Sequence, residues 1–234
     1  MKSVTIIEYK RGKEGLDDTL RETARHYATA WSTAVAHVAE NTILESDAEG
    51  NLMVLHQNTS GVTAEDRRRL EVTSETRLGE MVNRIRSFEV PESRDPVVVQ
   101  KAFLGTVSRS LRSPLSHPFL QVPTIFTYIQ VDGSIYLFAL IAPPYLNLLM
   151  RLQSNIAEMV RSPGNIPFNS YRAYKSTVRE AEEPYRFVDG ELMEKFLDCS
   201  ESMQEEMCKG LPGKEGGVDV EEVRGIVEGL RRLH

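Results

Sequence analysis

Hydrophobic and polar residues follow two different periods along this chain, and the change falls at Pro143-Pro144. Before that point, short runs of β-branched and aromatic residues alternate with polar ones, which favours half-buried strands. After it, apolar residues recur at spacings of three and four, which is typical of amphipathic helices. We therefore predict a mainly β part over residues 1–142, followed by a helical C-terminal part over residues 143–234.

Runs with the composition of strands follow one another in the first part, separated by turn residues. A hairpin is predicted near Asp47, because Gly50 and Asn51 adopt positive φ at little cost. An N-cap pattern at Thr63 with acidic residues after it predicts one short inserted helix from Ala64 to Leu70. The predicted strands are Ser3 to Tyr9, Leu20 to Tyr27, Trp31 to Val38, Thr42 to Glu45, Leu52 to Gln57, Val72 to Leu78, Met81 to Ile85, Val97 to Val107 and Ser134 to Ile141.

Sequence patterns typical of helix starts and helix ends occur at several places in residues 143–234. The first helix begins at Pro143-Pro144, because proline suits the first turn of a helix. The last helix has acidic residues in its first turn and arginines in its last, which complements the helix dipole. The predicted helices run from Pro143 to about Val160, from Asp189 past Leu197, from Ser200 to Lys209, and from Asp219 toward His234.

Composition narrows the class of protein. The chain has 234 residues, 41% of them hydrophobic, and a formal net charge of -6. Basic side chains are in excess in neither part, whereas a protein that binds nucleic acid through phosphates normally shows a basic segment. The longest apolar stretch, residues 124–150, is interrupted by polar residues and prolines, so no membrane span is predicted. Two cysteines and a charged N-terminal stretch favour a reducing compartment.

Candidate chemistry is sparse. The five histidines and the cysteines Cys199 and Cys208 show neither C-x-x-C nor H-x-x-x-H spacing, so no metal is predicted. A nucleophile elbow, a Walker loop and a dinucleotide-binding glycine motif are all missing. We therefore expect no cofactor and no enzymatic activity.

The single tryptophan, Trp31, stands at the start of a predicted strand. Two interpretations are open from the residues alone. The side chain fills core volume, or it anchors a partner at the rim of the fold, because tryptophan is enriched among interface hot spots.

Five segments of the chain, taken in order, resemble the C-terminal region shared by one family of large proteins. That family includes the large subunit of damage-specific DNA-binding protein, the splicing factor 3b subunit 3, and the A subunit of cleavage and polyadenylation specificity factor. Together the segments span nearly the whole chain, so the five in order identify the family more specifically than any single segment does. They are Trp31 to Val35, Asn51 to Val54, Arg77 to Asn83, Asp132 to Tyr136 and Phe187 to Leu197.

The resemblance implies the closing blades of a WD40-like β-propeller, followed by the family's helical C-terminal domain over residues 143–234. A blade takes about 40 to 45 residues, so residues 1–142 correspond to about three blades. Residues 108–131 are an atypical insertion before the last strand. They are either an elaborated hairpin loop or intron-derived sequence.

The resemblance also implies a function. In this family the damage-binding subunit is the adaptor of cullin 4 ubiquitin ligases, and a cleft beside its third propeller receives helical segments of WD40-type substrate receptors. This implies a non-catalytic interaction scaffold, linked to DNA damage repair and chromatin, in the nucleus and cytoplasm. Cullin 4 is expected to bind only through a middle propeller outside these residues, and nucleic acid only through the complex. The implied partner-binding residues are Lys2, Trp31, Met81 and Asn83, with either Val107 or Val131.

The same family leaves a second function open. The chain could serve as a nucleic-acid-binding scaffold of the pre-mRNA splicing machinery or of the 3'-end cleavage and polyadenylation machinery. The acidic charge balance disfavours this alternative, because neither part offers a basic face for phosphates. The partners that co-purify with the protein distinguish the two functions.

Overall fold

The computed structural model of the chain describes residues 3–12, 17–88, 97–107, 135–212 and 218–232. The polar linker 91–96 and the insertion 108–131 lie outside the described residues. Strands precede helices, which confirms the predicted β-then-α order. The strands are β1 (Thr5–Lys10), β2 (Thr19–Arg25), β3 (Ser32–Ala39), β4 (Thr42–Asp47), β5 (Asn51–Gln57), β6 (Leu70–Arg77), β7 (Met81–Phe88), β8 (Val98–Val107) and β9 (Ile135–Ile141).

The strands form three antiparallel sheets of two, four and three strands, in the orders β1-β2, β3-β4-β5-β6 and β7-β8-β9. Within each sheet, strands that are consecutive in sequence pair antiparallel, and short turns join β3 to β4 and β4 to β5. The three sheets do not close into a barrel within the described residues. Only the middle sheet has four strands among them, so the expectation of about three propeller blades stays a prediction.

The sheets stack face to face, and each contact buries one apolar cluster. Between the first and second sheets lie Val4, Ala24, Ile43, Met53, Leu55 and Leu70. Between the second and third lie Val38, Leu44, Leu52, Val54, Val82, Ile85, Ala102 and Leu104. Since side chains alternate across a strand, the two faces of the middle sheet supply both clusters.

The helices are α1 (Ala64–Arg68), inserted between β5 and β6, and then α2 (Pro143–Met159), α3 (Phe168–Arg172), α4 (Gly190–Glu194), α5 (Glu201–Cys208) and α6 (Val220–Arg231). The apolar stripe predicted on α2 is confirmed, because Leu149, Leu152 and Ile156 are all buried. They pack with side chains of α4 to α6 and with Val97 and Val98 at the start of β8. The helical part therefore packs against the third sheet.

Several predicted boundaries are wrong, including the end of α4 at Glu194 rather than past Leu197, and one helix was not predicted. The inserted helix ends at Arg68 rather than at Leu70, because Leu70 already pairs with Gln57 in β6. The second strand ends at Arg25 rather than at Tyr27. The helix α3 was not predicted, because five residues are too short to show a helical period.

Residues 172–187, which we call the return segment, run from the helical part back along β6. The backbone N–H groups of Glu75 and Tyr185 each donate to the other residue's carbonyl oxygen at 2.9 Å. The Ser74 hydroxyl donates to the Arg186 carbonyl at 3.0 Å, and the Thr76 hydroxyl donates to the Arg172 carbonyl at 3.0 Å. The return segment thereby covers an outer strand whose edge would otherwise be free to pair with another chain.

The outer face of the first sheet is apolar and exposed. Ile7, Tyr9 and Leu20 are 57%, 57% and 73% exposed, and the Tyr9–Leu20 register places them on one face. Exposed apolar faces of this kind promote association.

We expect the chain alone to self-associate with rising concentration. The double substitution Ile7→Thr and Leu20→Lys should reduce this self-association, as measured by sedimentation velocity. The control is Val62→Lys, since Val62 is 93% exposed elsewhere. Equal relief by the control would show that this face is not responsible.

Candidate partner-docking edge

The structure places four of the predicted site residues at one end of the stacked sheets. Trp31 immediately precedes β3, Met81 and Asn83 lie at the start of β7, and Val107 ends β8. Met81 and Val107 are paired in the register of the third sheet. We call Trp31, Met81, Asn83 and Val107 the docking edge. The other two predicted residues, Lys2 and Val131, lie outside the described residues.

Three residues of the docking edge are exposed, namely Trp31, Met81 and Asn83. Trp31 is 66% exposed and Met81 is 37% exposed, so neither belongs to the buried clusters. The structure therefore contradicts the core-filling interpretation of Trp31, and the rim-anchor interpretation stays a prediction. An exposed indole and an exposed, flexible thioether both suit non-covalent contact with an apolar partner surface.

Turns hold the docking edge in place. The Ala48 amide donates to the Trp31 carbonyl at 2.9 Å, which ties Trp31 to the β4–β5 turn. The amides of Leu78 and Gly79 donate to the Gly50 carbonyl at 2.8 and 3.0 Å, which ties the same turn to the chain just before Met81.

Gly50 is required where these two turns meet. Its φ is 83°, in the left-handed region. A Cβ atom at this position would lie 3.1 Å from the Glu80 amide nitrogen, closer than ordinary packing allows. The hairpin predicted here is confirmed, and Asn51 is the first residue of β5 rather than a second positive-φ position.

Asn83 lies in a β-bulge. The register of β7 and β8 shifts between Val82 and Arg84, so Asn83 is the extra residue and is exposed. A matching shift occurs in β3 between Ser32 and Ala34, two residues after Trp31. Bulges re-aim side chains at sheet ends and are over-represented beside functional sites. Trp31 and Met81 thus precede equivalent irregularities in neighbouring sheets.

The Asp47 carboxylate organises the turn below Trp31. Its Oδ1 accepts hydrogen bonds from the amides of Glu49 and Asn51, both at 2.9 Å, and its Oδ2 accepts one from the Asn51 side-chain amide at 2.8 Å. Burial raises the pKa of Asp47, and the hydrogen bonds from Asn51 and Glu49 oppose that rise. Asp47 is 3% exposed, so its role is to fix the turn rather than to contact a partner.

Sequence reasoning missed two features of this edge. Tyr27, 63% exposed, lies in the loop that leads to Trp31, and it had been included in a strand. Its proximity in sequence to the only tryptophan was the available signal. The hydrogen bonds from the return segment to the β4–β5 turn had no signal, because they join residues more than a hundred positions apart.

Two buried titratable side chains, His26 and Glu45, contact each other. His26 and Glu45 are both buried, with Nδ1 and Oε2 3.3 Å apart, and the Ser32 hydroxyl donates to Glu45. Among the described residues, no group of three or more His, Cys, Asp or Glu side chains is placed to hold a metal ion. No described helix is long and apolar enough to span a membrane.

A groove of about 660 Å³ opens elsewhere, between β6 and β9. Its walls are largely apolar and include Leu52, Val54 and Phe138. At its lining, Arg172 Nε donates to Asp189 Oδ2 at 2.6 Å. The groove contains none of the residues predicted to bind partners.

Comparisons with known proteins extend over the whole chain. Residues 1–198 match the family described as the CPSF A subunit region. The chain is 32% identical to DNA damage-binding protein 1a of Arabidopsis thaliana and 30% identical to DNA damage-binding protein 1 of Oryza sativa subsp. japonica, each over 234 residues. It is 26% identical to DNA damage-binding protein 1 of Schizosaccharomyces pombe over 237 residues.

Each of these alignments covers 100% of this chain and 19% of the relative, so the chain spans about a fifth of the length of these relatives. The resemblance inferred from the five sequence segments is therefore confirmed. This chain belongs to the CPSF A subunit region family.

Proposed function

We propose that this region is a non-catalytic protein-interaction scaffold and that its docking edge receives helical segments of partner proteins. The observation that carries the proposal is the exposed Trp31, whose backbone carbonyl accepts a hydrogen bond from the Ala48 amide. A rigid aromatic anchor, with a few polar groups around it, is the usual basis of helix-in-groove recognition.

The stacked sheets support a propeller origin for the β part. Each described sheet is antiparallel, each buries a face on its neighbour, and β3 and β7 lie side by side where the second and third sheets meet. We propose that they are closing blades of a WD40-like propeller that is completed by other parts of a longer polypeptide. The exposed face of the first sheet would then be covered by another sheet.

The partners we propose are WD40-type substrate receptors of a cullin 4 ubiquitin ligase. The support is the identity to proteins named DNA damage-binding protein 1 along the whole chain. Under this proposal the protein acts in the nucleus in the response to DNA damage. It reaches cullin 4 through a propeller outside these residues, and nucleic acid through the assembled complex.

Affinity capture with the full chain as bait, followed by mass spectrometry, tests the identity of the partners. We expect WD40-type receptors to be enriched with the native chain. They should be lost with Trp31→Ala and retained with Val62→Ala, which truncates an equally apolar but remote side chain that is 93% exposed. Enrichment of spliceosomal or polyadenylation subunits instead would favour the nucleic-acid-processing alternative and contradict this proposal.

A further inference from the structure

The return segment contacts Glu49 and Asn51 in and after the β4–β5 turn, which is hydrogen-bonded to Trp31 of the docking edge. The Asn51 side chain donates from Nδ2 to the Lys175 carbonyl at 2.8 Å, and its Oδ1 accepts from the Lys175 amide at 3.1 Å. The Glu49 carboxylate accepts from the Thr177 amide at 2.9 Å and from the Thr177 hydroxyl at 3.2 Å. Four hydrogen bonds therefore join residues 175–177 to the β4–β5 turn.

Asn51 is suited to this position by its hydrogen-bonding groups. Its oxygen accepts one bond from the return segment, and its nitrogen donates one to the return segment and one to Asp47 Oδ2 at 2.8 Å. The residue is 1% exposed, so water cannot replace a partner that is removed. Aspartate lacks the two donors and leucine lacks every polar group, so neither can reproduce the connection.

The connection continues from Asn51 to the backbone at Trp31 and to the residues just before Met81. The turn that Asn51 closes donates the Ala48 amide to the Trp31 carbonyl. The same turn accepts, at the Gly50 carbonyl, the amides that precede Met81. A change at residues 175–177 therefore moves one turn, and that turn holds both Trp31 and Met81.

The return segment is itself anchored away from the edge. The Arg179 guanidinium makes two hydrogen bonds to the Glu75 carboxylate, at 2.9 and 2.5 Å, and lies 4.1 Å from the centre of the buried Tyr174 ring. The Ala181 amide donates to the Tyr174 carbonyl at 2.8 Å. These contacts fix the segment on the middle sheet on both sides of residues 175–177.

We infer that residues 175–177 position the docking edge through Asn51 and Glu49, so that the C-terminal part sets the affinity of a surface formed by the β part. Asn51 and Glu49 are positioning residues in this inference and need not touch a partner. The inference rests on the proposed function for its effect on docking. Its structural half, the placement of Trp31, can be measured without any partner.

Trp31 is the only tryptophan of the chain, so its fluorescence reports the docking edge directly. We expect Asn51→Ala, in the full chain at low concentration, to lower the steady-state anisotropy of Trp31 and to shift its emission. Glu49→Ala, at an exposed position, should give a smaller change of the same kind with little risk to folding. The matched control is Lys175→Ala, because the lysine Nζ donates to the exposed Glu180 carboxylate at 2.7 Å, whereas the Lys175 backbone bonds to Asn51.

Docking is measured in parallel with a labelled synthetic peptide that carries the helical segment of a WD40-type substrate receptor. Coupling through positioning residues typically amounts to roughly 2- to 30-fold in affinity. We expect a loss in that range for Asn51→Ala, a smaller one for Glu49→Ala, and unchanged affinity for Lys175→Ala.

The two readouts separate the failure of this inference from the failure of the proposed function. If Trp31→Ala abolishes peptide binding while Asn51→Ala and Glu49→Ala change neither fluorescence nor affinity, residues 175–177 do not position the edge. If both variants alter Trp31 fluorescence and no variant, including Trp31→Ala, alters peptide binding, the positioning holds and the proposed docking function is wrong. Equal effects of Lys175→Ala and Asn51→Ala would also overturn the inference.

Discussion

Replacing Trp31 with alanine is expected to weaken partner docking by about 2 kcal/mol, or roughly 30-fold in Kd. The indole is 66% exposed in the free chain, so it has apolar surface to bury on binding. Its backbone is already fixed by the Ala48 amide, so little ordering of the main chain opposes the association. The protein core should be unaffected, because the side chain does not belong to any buried cluster.

Titration of the receptor peptide against Trp31→Ala measures this change, and thermal unfolding of the same variant checks that the fold is intact. Val62→Ala is the matched control, since it truncates an exposed apolar side chain at the opposite end of the middle sheet. Trp31→Phe should retain part of the affinity, because it keeps an aromatic ring. An affinity for Trp31→Ala within twofold of the native chain would remove Trp31 from the docking edge.

Replacing Asp189 with alanine is expected to lower the free energy of unfolding by about 3 to 5 kcal/mol. Asp189 is 5% exposed, and each of its two carboxylate oxygens accepts hydrogen bonds from a different part of the chain. Its Oδ1 accepts from the amides of Glu191 and Leu192 and so caps α4, and its Oδ2 accepts from Arg172 Nε at 2.6 Å. Its removal leaves the largely buried Arg172 guanidinium without this counter-charge. It also leaves the first amides of α4 without their capping acceptor.

Denaturant unfolding followed by circular dichroism measures this loss. The control is Asp219→Ala, because Asp219 caps α6 through the Glu221 amide but is exposed and has no described ion pair. Loss of that cap alone should cost about 1 kcal/mol. A similar loss at both positions would mean that the Arg172–Asp189 pair contributes little beyond the cap.

Local signals predicted several elements correctly. The N-cap predicted at Thr63 is confirmed, and Asp189 caps α4 at the predicted helix start, because each side chain satisfies free amides within three residues. The turn at Gly50 is confirmed for the same reason, since positive φ is a property of one residue. These features depend on neighbours in sequence, so a pattern reports them.

The candidate site could be predicted only in part. The resemblance singled out Trp31 and Met81, and composition explained why an exposed tryptophan is notable. The bulge at Asn83 could not be predicted, because it depends on how β7 is registered against β8. The same holds for Asn51, which looks like a turn residue and is instead buried against Lys175, 124 positions away.

The sequence alone determined the β-then-α order, the start of each long helix and the family resemblance, because periodicity, capping and motifs are local properties of the chain. Only the tertiary structure decided that the ends of β3, β7 and β8 form one edge, that Trp31 is exposed there, and that the return segment supports the turn beneath it. These facts depend on how sheets stack and how a distant segment pairs with β6. Such contacts leave no period in the sequence, because each is made by a few residues that meet only after the sheets have packed.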